Sequence, residues 1–521
     1  MKVTVIICLY MMTAVQIALA QRGNPLTKFG GQTPDEMIAA FMNEHQIPGM
    51  TLSIVQAPYV PRVVGYGLSD VERKLLASPN TLWPIGEMTQ AYTAVAIMQL
   101  VEAGKLTIDS PLSAYIAGLP QDWQALTLRQ LLGHTSGLPD YTAQKGIDLT
   151  MDYSSPDVLG LINKLPLEFK PGTKVVRSAS NFFLLGMVIE KVSGQTYEEF
   201  VRKGQFEPLG LKNTLFPSKL SHVKQEAVEQ NDNHHKQFLA ERPYIDPTEL
   251  AAGYSESNGK LARVPHSSQS SLFANGAVLA SAADISIWDV GLAGGILVKK
   301  PENRAFIYNG FKLADGTHCP ANCGWRFPAH KGFMDITGNP PGFSVYLSRF
   351  TDKSELVCVT LCANKGGVDL TALARRIAAC YDPRLGPPAD PANMTCLESC
   401  FPVGITMDRL EAYLKSHGAG IIARVDHEGA AKKAGMDLRP TETLIFGNPA
   451  VGTHLMLSRQ AVALDLPLRM AAWQDEKGRV WLGWHEPSLL ASQHGIEDRA
   501  EVLIKMRNAL ASAAQHATSP Y

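Results

Sequence analysis

The sequence predicts a multidomain protein of α and β structure: a large α/β unit followed by a small α+β unit. Three observations carry this. At 521 residues the chain is longer than one ordinary domain. The stretch Asp382-Pro-Arg-Leu-Gly-Pro-Pro-Ala-Asp-Pro391 reads as a linker. On both sides of it, amphipathic runs of helical period alternate with short β-type runs.

The composition, 45% hydrophobic and 19% charged, is that of a globular protein. A net charge of −1 gives no electrostatic reason to expect nucleic acid or an acidic membrane as partner. Residues 1–20 read as a secretory signal peptide: Lys2, an apolar run from Val3 to Leu19, and the small-residue pattern Ala18-Leu19-Ala20 before Gln21. The expected location is therefore exported, in the periplasm or outside the cell. No later stretch has the apolar length of a membrane span. The seven cysteines that follow (Cys319, Cys323, Cys358, Cys362, Cys380, Cys396 and Cys400) are expected as local disulfides or buried thiols. No Cys/His spacing fits a metal centre, and no cofactor is expected.

In chain order, residues 21–32 form a polar, Gly-rich arm, and the large unit spans 33–385. Thr33-Pro34-Asp35 caps a helix running to His45. Met50 to Val55 and Arg62 to Tyr66 form a hairpin. The stretch Thr81-Leu-Trp-Pro-Ile-Gly86 approaches a tight turn, and a long helix follows and stops at Gly104. Leu126 to Leu132 is a short helix, followed by the turn-rich segment Gly133 to Tyr141. A helix over Asn181–Val192 ends at Gly194, and another covers Tyr197–Lys203. Residues 217–270 read as a polar surface excursion, in which His234 and His235 are solvated. Ala282–Ala293 is a helix, Ser354–Cys362 a strand and Thr371–Cys380 a helix. Residues 386–401 are expected as linker. From 402 to 517 the pattern gives helix (Met407–His417), strand (Gly420–Asp426), helix (Glu428–Ala434), strand (Glu442–Phe446), helix (Gly452–Leu464), two strands joined at Asp475–Arg479, and a final helix from Glu497.

Several motifs together are similar to the serine β-lactamase and penicillin-binding-protein-like family, the class C-related serine hydrolases. They are Thr81-Leu-Trp-Pro-Ile-Gly86, Leu131-Leu-Gly-His-Thr-Ser-Gly-Leu-Pro-Asp140, Pro171-Gly-Thr-Lys174, Leu184-Leu-Gly186, Ala274-Asn-Gly-Ala-Val-Leu-Ala-Ser-Ala-Ala-Asp284 and Pro341-Gly-Phe343. The resemblance implies a helical lobe and an antiparallel sheet flanked by helices, with the site between them. It also implies three catalytic motifs, and all three are altered here. Ser-x-x-Lys, whose serine attacks a carbonyl, reads Glu87-Met88-Thr89-Gln90. Tyr-x-Asn reads Arg177-Ser178-Ala179. The Lys-Thr-Gly or His-x-Gly strand motif reads Ile336-Thr337-Gly338.

The replacements remove the family chemistry. Gln90 takes no proton at neutral pH, the Arg177 guanidinium stays charged, and Ile336 offers no polar group. Losing one member of such a set already removes most catalysis. The expected function is an exported, catalytically inactive relative that binds a cell-envelope peptide, a small molecule or a protein. The alternative is a rewired serine hydrolase (esterase, β-lactamase or D-amino-acid peptidase). Glu87 and Arg177 are expected to pair across the former catalytic cleft. His134 and Ser136 are expected to serve packing and turn formation.

The C-terminal unit resembles domain-of-unknown-function 302, through Arg424-Val-Asp-His427, Gly435 to Ala450, Gly452-Thr-His-Leu-Met456 and Trp481-Leu-Gly-Trp-His-Glu-Pro487. That family name carries no activity. Asn448, Gly452 and Thr453 could present backbone N–H groups to a small ligand at a helix start; a structural cap is the competing reading.

Overall fold

The computed structural model describes residues 27–56, 59–220, 249–257, 260–328, 332–351, 356–387 and 394–520. The expected signal peptide, residues 21–26 of the arm and most of the surface excursion, with His234 and His235, lie outside the described residues.

An eight-stranded antiparallel sheet forms the frame of the large unit. Its strands are β1 (Gly49–Gln56), β2 (Tyr59–Asp70), β3 (Leu75–Leu76), β4 (Ala321–Asn322), β5 (Trp325–Arg326), β6 (Phe333–Gly338), β7 (Ser344–Phe350) and β8 (Val357–Ala363), in the order β4-β5-β6-β7-β8-β1-β2-β3. The chain ends of this unit meet at the centre, where β1 pairs with β8 from Met50↔Ala363 to Gln56↔Val357. The central strands β7 and β8 are buried along their whole length because both faces are covered.

One face carries α1 (Pro34–Glu44), and its expected Thr33 cap forms a capping box with Glu36. Other helices of the unit are α2 (Thr89–Glu102), α3 (Ala179–Ser193), α4 (Ala282–Ala293) and α5 (Thr371–Tyr381). Met37 and Ile38 of α1 join Leu373, Ala374 and Ile377 of α5 in a core against β1, β7 and β8. On the opposite face, Ser286 of α4 hydrogen-bonds both Ser53 and Thr360 of the sheet. Beyond α4 lies the helical lobe, with α2 at its centre. Apolar residues surround α2 on nearly every side, and Ala91 to Met98 are all buried. α3 ends on Gly194 at φ +71, as its sequence predicts.

The small unit is a five-stranded antiparallel sheet of β9 (Met394–Ser399), β10 (Gly420–Asp426), β11 (Thr441–Gly447), β12 (Leu468–Gln474) and β13 (Val480–His485), in the order β9-β13-β12-β11-β10. The helices α6 (Val403–Ser416), α7 (His427–Lys433), α8 (Pro449–Ser458) and α9 (Ala500–Thr518) belong to the same unit. Met407, Leu410, Leu510 and Ala514 fill the core beneath the sheet. Residues 394–399, expected as linker, are instead the edge strand β9, paired with β13 from Met394↔His485 to Ser399↔Val480. Thr395 and Leu397 alternate with Cys396 and Glu398 across its two faces, a pattern too short to stand out after the proline cluster.

The two units share a charged interface. Arg375 of α5 is 2% exposed and reaches Glu398 of β9 at 2.9 Å. Its guanidinium lies over Phe333 at 4.6 Å, Phe350 at 4.8 Å and Trp481 at 5.5 Å. Beside it, Arg326 and Asp335 form a buried pair at 2.6 Å, and Arg326 also donates to Ser519 Oγ. Arg479 donates to the Arg384 and Gly386 carbonyls of the connecting segment.

Cys319, Cys323, Cys358, Cys362, Cys380 and Cys396 are buried and Cys400 is half-buried, and the structure joins none of the seven by a disulfide among the described residues. Burial pushes the Cys319 thiol up to about 11. Among the described residues no group of three or more His, Cys, Asp or Glu is placed to hold a metal, and no helix is long and apolar enough to cross a membrane.

Removing one partner of a buried ion pair strands the other charge. Glu398→Ala is therefore expected to lower stability by about 3–5 kcal/mol. Urea unfolding followed by tryptophan fluorescence measures the loss.

Candidate functional site

The site is built where the end of β6 meets the turn before α2. Trp83 and Pro84 pair with Ala280 and Leu279, and Ile85 N–H donates to Val278 O. These contacts hold the turn from one side. From the other side, Gly338 lies so close that a Cβ there would stand 1.9 Å from Ile85 O. Gly86, at φ +51, would in turn place a Cβ 2.6 Å from Pro340. Both glycines are required by this packing.

Glu87 leads off the turn and is half-buried. Its Oε2 accepts the Asn339 backbone N–H at 2.7 Å. The expected ion pair with Arg177 is not among those formed by the described residues. The N–H at the end of β6 is fixed by the strand and lies beside the turn, so it engages the carboxylate without ordering a second long side chain. Arg177 lies near His134, on which its charge acts.

Gln90, one helical turn on, is 1% exposed. Its Nε2 donates to Asn275 Oδ1 at 2.8 Å, and its Oε1 lies 3.1 Å from His134 Nε2. His134 Nδ1 receives Asn181 Nδ2 at 3.1 Å and the Ser178 N–H at 3.4 Å. Nδ1 is therefore the acceptor, and Nε2 carries the proton it donates to Gln90. Asn181 Oδ1 accepts from Ser136 Oγ at 2.5 Å. The result is a buried chain of neutral groups, Ser136–Asn181–His134–Gln90–Asn275. Burial, helped by the Arg177 charge, holds the His134 imidazole well below its ordinary value of 6.5.

The remaining motif positions contribute no proton chemistry. Ala179 begins α3, and its N–H donates to Asp140 Oδ2 at 3.1 Å. Ile336 is fully buried, pairs with Leu347 across β6 and β7, and extends its side chain toward Gly324. The structure thus brings Glu87 together with the Gly338–Asn339 strand end, and Gln90 with the residues around Arg177. Sequence reasoning did not single out Asn181, Asn275 or Asn339. Asn275 does lie inside the quoted Ala274-Asn-Gly276 motif, which was its available signal. His134 and Ser136, read as structural, are members of the buried chain.

In the small unit, Asn448 is the N-cap of α8: its Oδ1 accepts the Ala450 N–H at 2.9 Å, and its Nδ2 donates to Gly418 O at 3.4 Å. Gly452 N–H donates to Asn448 O. These contacts are those of a cap. Thr453 follows within the helix.

Residues 34–380 match the family described as Beta-lactamase. The chain belongs to the beta-lactamase family. Residues 396–513 match the domain of unknown function DUF302. Among curated relatives, Protein flp of Staphylococcus aureus (strain N315) is 30% identical over 207 residues, which is 39% of this chain and 42% of that protein. Fluoride-specific ion channel FluC 1 of Brucella suis biovar 1 (strain 1330) is 43% identical over 114 residues, 22% of this chain and 45% of that protein. The chain thus spans less than half the length of the curated relatives it matches. Among solved structures, the octameric penicillin-binding protein homologue from Pyrococcus abyssi aligns with a TM-score of 0.55 at 19% identity, covering 86% of this chain and 89% of that one. At that identity the likeness concerns the fold.

Two measurements check the buried chain. NMR of the histidine side chains is expected to show His134 neutral and protonated on Nε2 from about pH 5 to 8. The unfolded chain's imidazole takes a proton near 6.5 and the folded one does not, so His134 contributes stability above that pH that is lost on acidification below it. Gln90→Ala strands the His134 Nε2–H and one Asn275 acceptor, and is expected to cost about 2–4 kcal/mol by urea unfolding.

Proposed function

We propose that this protein is an exported, non-catalytic member of the beta-lactamase family that acts by binding a cell-envelope peptide, a small molecule or a protein. One observation carries the reading: Gln90 occupies the position of the family's proton acceptor and is locked between His134 and Asn275. Neither group beside it can accept a proton and remain hydrogen-bonded as it is. His134 Nδ1 is already engaged, and the amides are not bases.

The rest of the cleft agrees. Position 87 supplies a carboxylate whose Oε2 is engaged by a backbone N–H, where the chemistry needs a free alkoxide. Ile336 presents only hydrocarbon at the strand position. The cleft that stays open beside the turn, lined by Pro84, Leu272, Gly276, Pro340 and Phe343, encloses about 60 Å³. Export is supported by the Val3–Leu19 apolar run ahead of Ala18-Leu19-Ala20.

The chain processed at Ala20 is expected to give no turnover of nitrocefin or a p-nitrophenyl ester, and no heat-stable labelling by a fluorescent penicillin or a fluorophosphonate. Labelling that maps to a single residue would establish the rewired hydrolase instead. The double variant Glu87→Ser/Gln90→Lys is expected to stay inert as well, because Arg177, Ala179 and Ile336 are unchanged.

A further inference from the structure

We propose that the Glu87 carboxylate is a built-in ligand: it fills an anion-binding corner between the end of β6 and the start of α2, and thereby excludes external carboxylates and acyl oxygens. The proposal rests on reading the cleft as a non-catalytic binding site.

Three features define the corner. Its donor is the Asn339 N–H, which meets Glu87 Oε2 at 2.7 Å, within the range of charge-assisted bonds. Its second wall is the turn at Gly86–Met88, which runs directly into α2, whose backbone dipoles favour negative charge at this end. The corner cannot open by sliding. Gly338 is pressed on Ile85 O and Gly86 on Pro340, so the strand donor and the turn are fixed against each other.

A backbone donor held beside the leading residue of a helix is the arrangement that stabilises an oxyanion formed at that residue. A short side chain at position 87 would leave such a donor open to a ligand oxygen. Glutamate is long enough to fold back and supply the oxygen itself. The Asn339–Glu87 contact therefore occupies a place where an acyl oxygen or carboxylate would be held, which makes the contact autoinhibitory.

The test follows the Asn339 backbone amide of the isotope-labelled full chain by NMR during titration with sodium acetate. In the wild type the amide is expected to stay unmoved. In Glu87→Ser it is expected to shift saturably, with an apparent acetate affinity at least about tenfold above any wild-type response. Glu87→Gln, which keeps a side-chain acceptor, is expected to behave as the wild type. Should Glu87→Ser fail to fold, Glu87→Ala replaces it, with near-UV circular dichroism as the check. An Asn339 amide that ignores acetate in a folded serine or alanine variant overturns the proposal, as does an equal response in the wild type. Covalent labelling by a fluorescent penicillin reports separately on the non-catalytic reading, so the two failures are distinguishable.

Discussion

The contact between the Gly338 end of β6 and the carbonyl of Ile85 is the constraint on which the site depends. A strand end and a helix-leading turn are held closer than any side chain would permit. The turn is also tied to Val278 from behind, so its position is set from two directions. Because α2 is buried on nearly every side, a shift of the turn would have to move the centre of the helical lobe with it. The direction in which Glu87 leaves the turn, and the donor it meets, follow from this packing.

Polar groups are handled differently in the two regions that bury them. Along the chain from Ser136 to Asn275 the linked side chains are neutral and each finds a partner, which is how a polar chain persists in a medium of low dielectric. Between the two units the buried groups are charged, and Arg375 is held by Glu398 together with three aromatic rings. The first arrangement fixes the Gln90 amide and the His134 ring in one orientation. The second binds the units through an interface where loss of either charge is costly. β6 serves both: Asp335 near its start pairs with Arg326 at the interface, and Gly338 at its end closes the cleft.

Much of this was legible in the residues. The helix cap at Thr33, the stop at Gly194, the apolar α2 and the hairpin of β1 and β2 follow from local propensity and period. Positions 87, 90, 177, 179, 336 and 338 came from the family resemblance, and the types at 90, 177 and 336 offer no group that takes a proton at neutral pH. Other features escaped. Strand β9 is short and follows a proline cluster, and its partner β13 lies far along the chain. Pairing Glu87 with Arg177 weighed charge alone, whereas a pre-positioned backbone N–H competes without ordering another long side chain. Asn181 and Asn275 carried no spacing signal, because each acts through a group distant in sequence.

The sequence by itself determined the order of elements and the family, because these are properties of residue type, motif order and local period. Only the tertiary structure decided how Glu87, Gln90 and His134 are held. The proton on His134 Nε2, the locked Gln90 amide and the Asn339 N–H on Glu87 each depend on atoms brought together from separate elements, and hydrogen bonding is decided over tenths of an ångström that no sequence spacing encodes.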